Sequence, residues 1–78
     1  MQHDEAYVNA FRSVLKIQDS DKIKAMKYRD DNWDSVAHMV LMSEIENTFG
    51  VMLDIEDVVD FSSFEKGKEI LRKYNVEL

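Results

Sequence analysis

The residues of this chain best suited to chemistry lie at the start of one predicted helix. Ser35 and His38 are three positions apart in "NWDSVAHM", residues 32–39, so on a helix their side chains share a face. A serine near a histidine first suggests nucleophilic catalysis. That chemistry also needs an orienting acid, an oxyanion hole and a dry pocket, and the sequence lacks the G-x-S-x-G elbow. We therefore predict that the chain is not an enzyme.

Metal chemistry has equally few candidates. Asp54, Asp57 and Asp60 lack the glycine and the terminal glutamate of a calcium loop, and the two histidines are far apart in the sequence. The chain contains no cysteine, which excludes disulfides and thiolate metal sites. We predict no metal site.

The elements that must position Ser35 are helical, because apolar residues recur at helical spacing. Asp34 predicts the N-cap of a helix that begins at Ser35 and ends before Gly50. An earlier apolar stripe predicts a helix over residues 4–17, formed by Tyr7, Val8, Phe11, Val14 and Leu15. Between the two helices lies a long polar connection, residues 18–32, for which the sequence predicts no particular local structure. We expect its apolar residues to anchor it to the core: Ile23, Met26 and Tyr28.

Two more helices complete the predicted architecture. Asp54 is the expected cap of a short third helix over residues 55–60, and Ser62 with Glu65 has the spacing of a capping box before a final helix. That helix has an apolar face made of Phe64, Gly67, Ile70, Leu71 and Tyr74. The prediction is an all-α domain spanning 1–78, a small bundle of three longer helices and one short one.

The distribution of charge restricts the partners. The net charge is -6, and no Lys or Arg occurs from Asp30 to Phe64. Nucleic acid is therefore excluded as a predicted partner, since phosphate backbones are bound by clustered basic residues. The acidic middle is either a solvated face or a docking surface for basic partners. The sequence has no apolar run of membrane-spanning length and no signal peptide, so we expect a cytoplasmic protein.

Three stretches together resemble the acyl carrier proteins and the related peptidyl carrier domains. The family motif is Asp-Ser-Leu at the start of the second helix, and here it is Asp34-Ser35-Val36. "EIENTF" (residues 44–49) matches the acidic end of that helix, and "VMLDIEDVVDFSSFEKGKEIL" (residues 51–71) matches the acidic third helix and the capped fourth. The resemblance implies a four-helix bundle of acyl-carrier-protein type.

The resemblance also implies a function. Ser35 would receive a 4'-phosphopantetheine arm from coenzyme A, whose thiol holds an acyl or aminoacyl group as a thioester, and Asp34 would help to engage the modifying phosphopantetheinyl transferase. The other implied partners are loading ligases, acyltransferases and synthases with basic docking surfaces, with no role for nucleic acid or membrane. The carrier is expected to be a monomer. The alternative is a small acidic helical protein-interaction module without a prosthetic group.

Two departures from the family pattern concern the residues before the motif. Asn32 stands where many members have glycine, and asparagine tolerates left-handed backbone geometry nearly as well. Trp33, with His38 and Met39, is closer to stand-alone carriers of specialised pathways than to the housekeeping fatty-acid carrier. The cargo is left open, and we expect Trp33 to be a hydrophobic lid on the bundle.

A helical wheel at 100° per residue divides the second helix into two arcs. The predicted core arc is His38, Leu41, Met42, Ile45 and Phe49. The opposite arc would form a partner-recognition face of Val36, Met39 and Val40 rimmed by Glu46, with Asp57 from the next helix; the alternative packs the three apolar residues against the long connection. His38 is predicted to point inward, bonded to a backbone carbonyl or to an acid of that connection. His38 would then either be a structural residue without contact to cargo or face the space between helices where carriers of this family shelter part of their cargo.

Overall fold

Five helices make up the computed structural model, which describes residues 2–78. They are α1 (Gln2–Leu15), α2 (Ser20–Lys24), α3 (Ser35–Phe49), α4 (Ile55–Asp60) and α5 (Phe64–Arg72). Across residues 2–78 there is no strand, and the one β pairing is an isolated antiparallel bridge between Lys27 and Ser63. The all-α prediction is confirmed. The structure has five helices and not the four predicted, because α2 lies within the connection for which no local structure was predicted.

Membrane-spanning length is not reached by any helix in residues 2–78.

Helix α3 begins and ends where the sequence predicts. Asp34 has an extended backbone, and its Oδ1 accepts a hydrogen bond of 2.8 Å from the amide of Ala37. At the other end Gly50 adopts the left-handed conformation, with φ of 66°, and its amide donates to the carbonyl of Glu46. A residue with a side chain rarely adopts this conformation, so Gly50 sets the end of the helix.

The caps of the last two helices differ from the prediction. Ser63 caps α5, because its Oγ accepts from the amide of Lys66 at 2.9 Å; the predicted cap, Ser62, was wrong by one position. The carbonyl of Ser62 instead accepts from the amide of Tyr28 at 2.8 Å, which holds this segment against the long connection. Asp54 does precede α4, but its side chain makes no capping hydrogen bond.

The long connection is ordered by α2 and by its own anchors. Asp19 caps α2, and Ile23 and Met26 are buried while Tyr28 is half-buried, as predicted. The left-handed conformation that asparagine tolerates is adopted here by Arg29 and Asp31 and not by Asn32.

Asn32 has a different role, which links the connection to α1. Its side-chain nitrogen Nδ2 donates to the carbonyl of Leu15 at 2.6 Å. Carbonyls in the last turn of a helix lack intrahelical donors, so this bond caps α1. The helix ends two residues before the predicted 17 because Lys16 is left-handed, with φ of 60°.

The core is built around interlocking aromatic rings. Phe11 meets Trp33 and Phe64 edge-on, with ring centroids 5.3 and 5.2 Å apart, an arrangement that aromatic pairs favour. The predicted stripe of α1 faces this core, with Tyr7, Val8, Phe11 and Leu15 buried and Val14 half-buried. Trp33 is completely buried, so it is part of the core and not a lid on its surface.

Candidate functional site

Ser35 is the first residue of α3, and it is exposed to solvent directly after the Asp34 cap. The amides of a first helical turn lack intrahelical acceptors, and the helix dipole has its positive end there. This environment favours an anion. A phosphodiester formed on the hydroxyl of Ser35 would therefore be accessible and electrostatically supported by a helix of 15 residues.

A cleft of about 350 Å³ opens beside Ser35. It lies between α3, α4 and the long connection, and its walls are largely apolar side chains from Met39, Val58 and Val59. The hydroxyl-bearing Ser35 and Ser62 are its exposed polar residues. Its volume falls at the lower end of the range for small-molecule sites, about 300–1,000 Å³.

His38 forms part of the cleft wall and points inward. Its Nδ1 is 3.0 Å from the indole Nε1 of Trp33, and its Nε2 is 2.8 Å from the carbonyl of Val58. Because the indole N–H can only donate, Nδ1 must accept, and the proton lies on Nε2, which donates to Val58. The predicted inward orientation and backbone-carbonyl partner are confirmed, although the carbonyl belongs to α4 and not to the long connection.

This hydrogen bonding also bears on catalysis. Both ring nitrogens of His38 are engaged by other groups, so neither is free to take a proton from Ser35. A general base must reach the proton that it removes. The geometry therefore gives the pair of Ser35 and His38 no arrangement for nucleophilic activation.

The two arcs of α3 lie as the wheel predicts. Leu41, Met42 and Ile45 are buried, and His38 and Phe49 are half-buried. On the other arc Val36 is 73% exposed, Met39 59% and Val40 51%, so these side chains are mostly open to solvent and not buried against the long connection.

Sequence reasoning missed a second set of exposed apolar side chains. Met52, Ile55 and Val59, before and within α4, are also mostly exposed. Helix α4 has six residues, too few for a periodic face to be read from sequence.

The two predicted acidic members of the recognition face have partners inside the chain. Glu46 is half-buried, and its Oε2 accepts from the amide of Leu53 at 2.8 Å. Asp57 is buried, with Oδ1 2.6 Å from the Nζ of Lys73 and Oδ2 accepting from the hydroxyl of Tyr74. These hydrogen bonds, that from Lys73 first and that from Tyr74 next, lower the pKa of Asp57. The placement argues against a docking role for Asp57, since Lys73 already neutralises its charge.

No three His, Cys, Asp or Glu side chains of residues 2–78 are grouped so as to hold a metal ion. Comparison of the chain with models of protein families, with curated proteins and with solved structures finds no match. The function must therefore be argued from the site.

Proposed function

We propose that the chain is a carrier protein whose Ser35 bears a 4'-phosphopantetheine arm. The observation that carries the proposal is the position of Ser35, exposed at the N-terminus of α3 and at the mouth of an apolar cleft. The resemblance of Asp34-Ser35-Val36 and of the two following acidic stretches to the carrier motif points to the same residue. The thiol of a bound arm would hold an acyl or aminoacyl group as a thioester.

The residues at the start of α3 fit the attachment. Ser35 Oγ would displace adenosine bisphosphate from the pantetheine phosphate of coenzyme A, and its proton would pass to a base of the transferase. The resulting phosphodiester would lie beside the free amides of the first turn. Asp34 would hold the first turn in place by accepting from the amide of Ala37, and its exposed side chain is accessible to the transferase.

The fold supports a carrier bundle with one addition. We infer that α1, α3, α4 and α5 are its four helices, with α2 inserted in the first connection. The proposal places the carrier in the cytoplasm, as a monomer, and Trp33, His38 and Met39 favour a specialised pathway.

The proposed partners meet the exposed apolar arc of α3. Val36, Met39 and Val40 lie within five positions of Ser35 on the same helix and are open to solvent, so an enzyme that reaches the arm would contact them. Transferase, loading ligase and synthase would share this face. Acidic side chains of the 30–64 region would attract the basic surfaces of these enzymes.

Mass spectrometry of the intact protein tests the proposal. Incubation with a phosphopantetheinyl transferase and coenzyme A should add the mass of one arm to the wild-type chain. Ser35→Ala should remain unmodified, whereas Ser43→Ala, which removes an exposed serine of the same helix, should be modified at the wild-type rate. Wild-type protein left unmodified by transferases of several classes would contradict the proposal and favour the interaction module without a prosthetic group.

A further inference from the structure

We propose that the cleft beside Ser35 selects the cargo, accepting a compact, uncharged acyl group with a planar ring over a long straight chain or a group that ends in a carboxylate. This inference rests on the proposed carrier function and names its substrate class. It is carried by the packed side chains that limit the depth of the cleft, by the rings in its walls and by the absence of cationic side chains from its lining.

The depth of the cleft is limited by hydrogen-bonded side chains. His38 joins the indole of Trp33 to the carbonyl of Val58 and so links the start of α3 to α4. The interior next to it is filled, since Trp33 is 0% exposed and Phe61, which itself lines the cleft, is 1% exposed. Close-packed interiors leave few voids larger than a water molecule. A long chain could extend past His38 only by breaking these hydrogen bonds and displacing the aromatic core.

Three rings line the cleft at inclined angles. The ring centroid of His38 is 5.2 Å from that of Tyr28 and 6.2 Å from that of Phe61, with planes inclined by 66° and 69°. A planar ring that enters the cleft would find both edges and faces, which aromatic groups prefer as neighbours. A straight alkyl chain would gain from burial alone. The walls therefore favour a ring.

The lining of the cleft disfavours an anionic cargo. Its lining contains no Lys or Arg, and none occurs from Asp30 to Phe64 in the sequence. A carboxylate that entered would lose its hydration without gaining a cationic partner, which is costly. Charges of both signs flank the lining in sequence, Asp34 and Asp60 on one side and Lys27 and Arg29 around Tyr28 on the other, so the lost hydration decides against the carboxylate.

The chain lacks cysteine, which allows a test that does not depend on enzymatic loading. Ser35→Cys provides a single thiol that can be alkylated with iodoacetamide arms ending in methyl, phenyl, dodecyl or carboxylate groups. The phenyl arm should raise the Tm above that of the methyl arm and shift the fluorescence of Trp33, the one tryptophan. The carboxylate arm should do neither, and the dodecyl arm should have a smaller effect than phenyl. An equal or larger effect of the dodecyl or carboxylate arm would overturn the proposal.

A pair of variants ties the effect to the cleft. Val59 lines the cleft and is 76% exposed, so Val59→Phe should narrow the cleft without disturbing the core and abolish the phenyl effect. Val40→Phe, on the exposed arc of α3 and not in the cleft lining, should leave the effect intact. A phenyl effect that persists in Val59→Phe would place the ring elsewhere and refute the assignment.

The enzymatically loaded protein gives the corresponding functional readout. For each thioester, the rate of cleavage by hydroxylamine on the Ser35 arm is divided by the rate for the same thioester on free pantetheine. This ratio should be about fivefold lower for the benzoyl thioester than for the dodecanoyl thioester. Equal relative rates would contradict the proposed selection. If no transferase modifies Ser35 while the phenyl preference of Ser35→Cys is observed, the carrier function fails and the selectivity of the cleft stands.

Discussion

The indole Nε1 of Trp33 donates a hydrogen bond to Nδ1 of His38, five residues further along the chain, at 3.0 Å. Since the indole nitrogen cannot accept, the bond fixes one neutral tautomer of His38, with its proton on Nε2 facing the carbonyl of Val58. We therefore expect ¹⁵N NMR at neutral pH to show the Nε2–H tautomer. A spectrum of the Nδ1–H tautomer would exclude the bond.

Removal of the indole donor should destabilise the fold. Trp33→Phe keeps an aromatic ring in the core but leaves Nδ1 of His38 without its donor, and an unpaired polar group in a buried setting costs about 1–3 kcal/mol. We expect the free energy of unfolding to fall by about 2 kcal/mol or more, measured by urea denaturation followed by circular dichroism. In a background of His38→Phe the same substitution should cost less, because no imidazole remains to be paired. Equal costs in both backgrounds would show that the hydrogen bond contributes nothing.

The side chains of Tyr7 and Phe61 fill the space beside position 67 and require a glycine there. A Cβ there would collide with the hydroxyl of Tyr7 and the ring of Phe61, and that hydroxyl donates to the carbonyl of Phe64 at 2.7 Å. Overpacking of this kind typically costs about 1–3 kcal/mol, and we expect the upper end for Gly67→Ala because both neighbours are buried. The Tm should fall clearly.

Gly50→Ala is the matched control for that substitution. No atom lies near its added Cβ, and its cost comes only from the left-handed backbone, about 1–2 kcal/mol. A Gly67→Ala protein as stable as Gly50→Ala would show that the side chains of Tyr7 and Phe61 move aside without strain.

Because of the ion pair between Asp57 and Lys73, the free energy of unfolding should fall as the solution is made acidic. The hydrogen bonds to Asp57 lower its pKa in the folded state below the ordinary value of 3.8. Its contribution is thus fully present above the unfolded-state pKa and is lost as the pH falls through the folded-state pKa. Between pH 5 and about pH 2, wild-type protein should lose more stability than Asp57→Asn. Asp60→Asn, which alters an exposed acid of the same helix, should retain the wild-type profile.

The exposed acids of α4 should accelerate modification of Ser35. Charge reversal of Glu56 and Asp60, both exposed, should slow the transferase reaction several-fold at low salt while the circular dichroism stays helical. Added salt should reduce this difference, because it screens charges over a Debye length of about 8 Å at physiological strength. Reversal of the exposed Asp21 and Glu77 supplies the control. Equal rates for all three proteins would assign the acids of α4 to a solvated face.

Features with local causes could be predicted from the sequence. The bounds of α3 follow from a cap at Asp34 and a glycine at Gly50, both adjacent to the helix they delimit. Its two arcs follow from a periodicity that spans 15 residues. Helix α2 has five residues, fewer than two turns, so no such periodicity could reveal it.

Features that depend on distant partners could not be predicted. The burial of Asp57 depends on Lys73, 16 positions away, and the carbonyl that His38 meets is 20 positions away. Charge counts place Asp57 on an acidic surface because they carry no information on such pairs. The cleft is likewise assembled from three separate segments. Of its features, the sequence predicted only that His38 points inward.

The bridge between Lys27 and Ser63 closes the chain on itself. With the bonds from Tyr28 to the carbonyl of Ser62 and from Phe64 to that of Met26, it joins the two ends of the segment that contains α3, α4 and Ser35. Forming these backbone hydrogen bonds brings together residues that are distant in the sequence. This closure has an entropic cost that local helix formation does not have. The amides of Tyr28 and Phe64 should consequently exchange with deuterium only when the whole domain opens, so the cleft and the attachment serine are held as one cooperative unit.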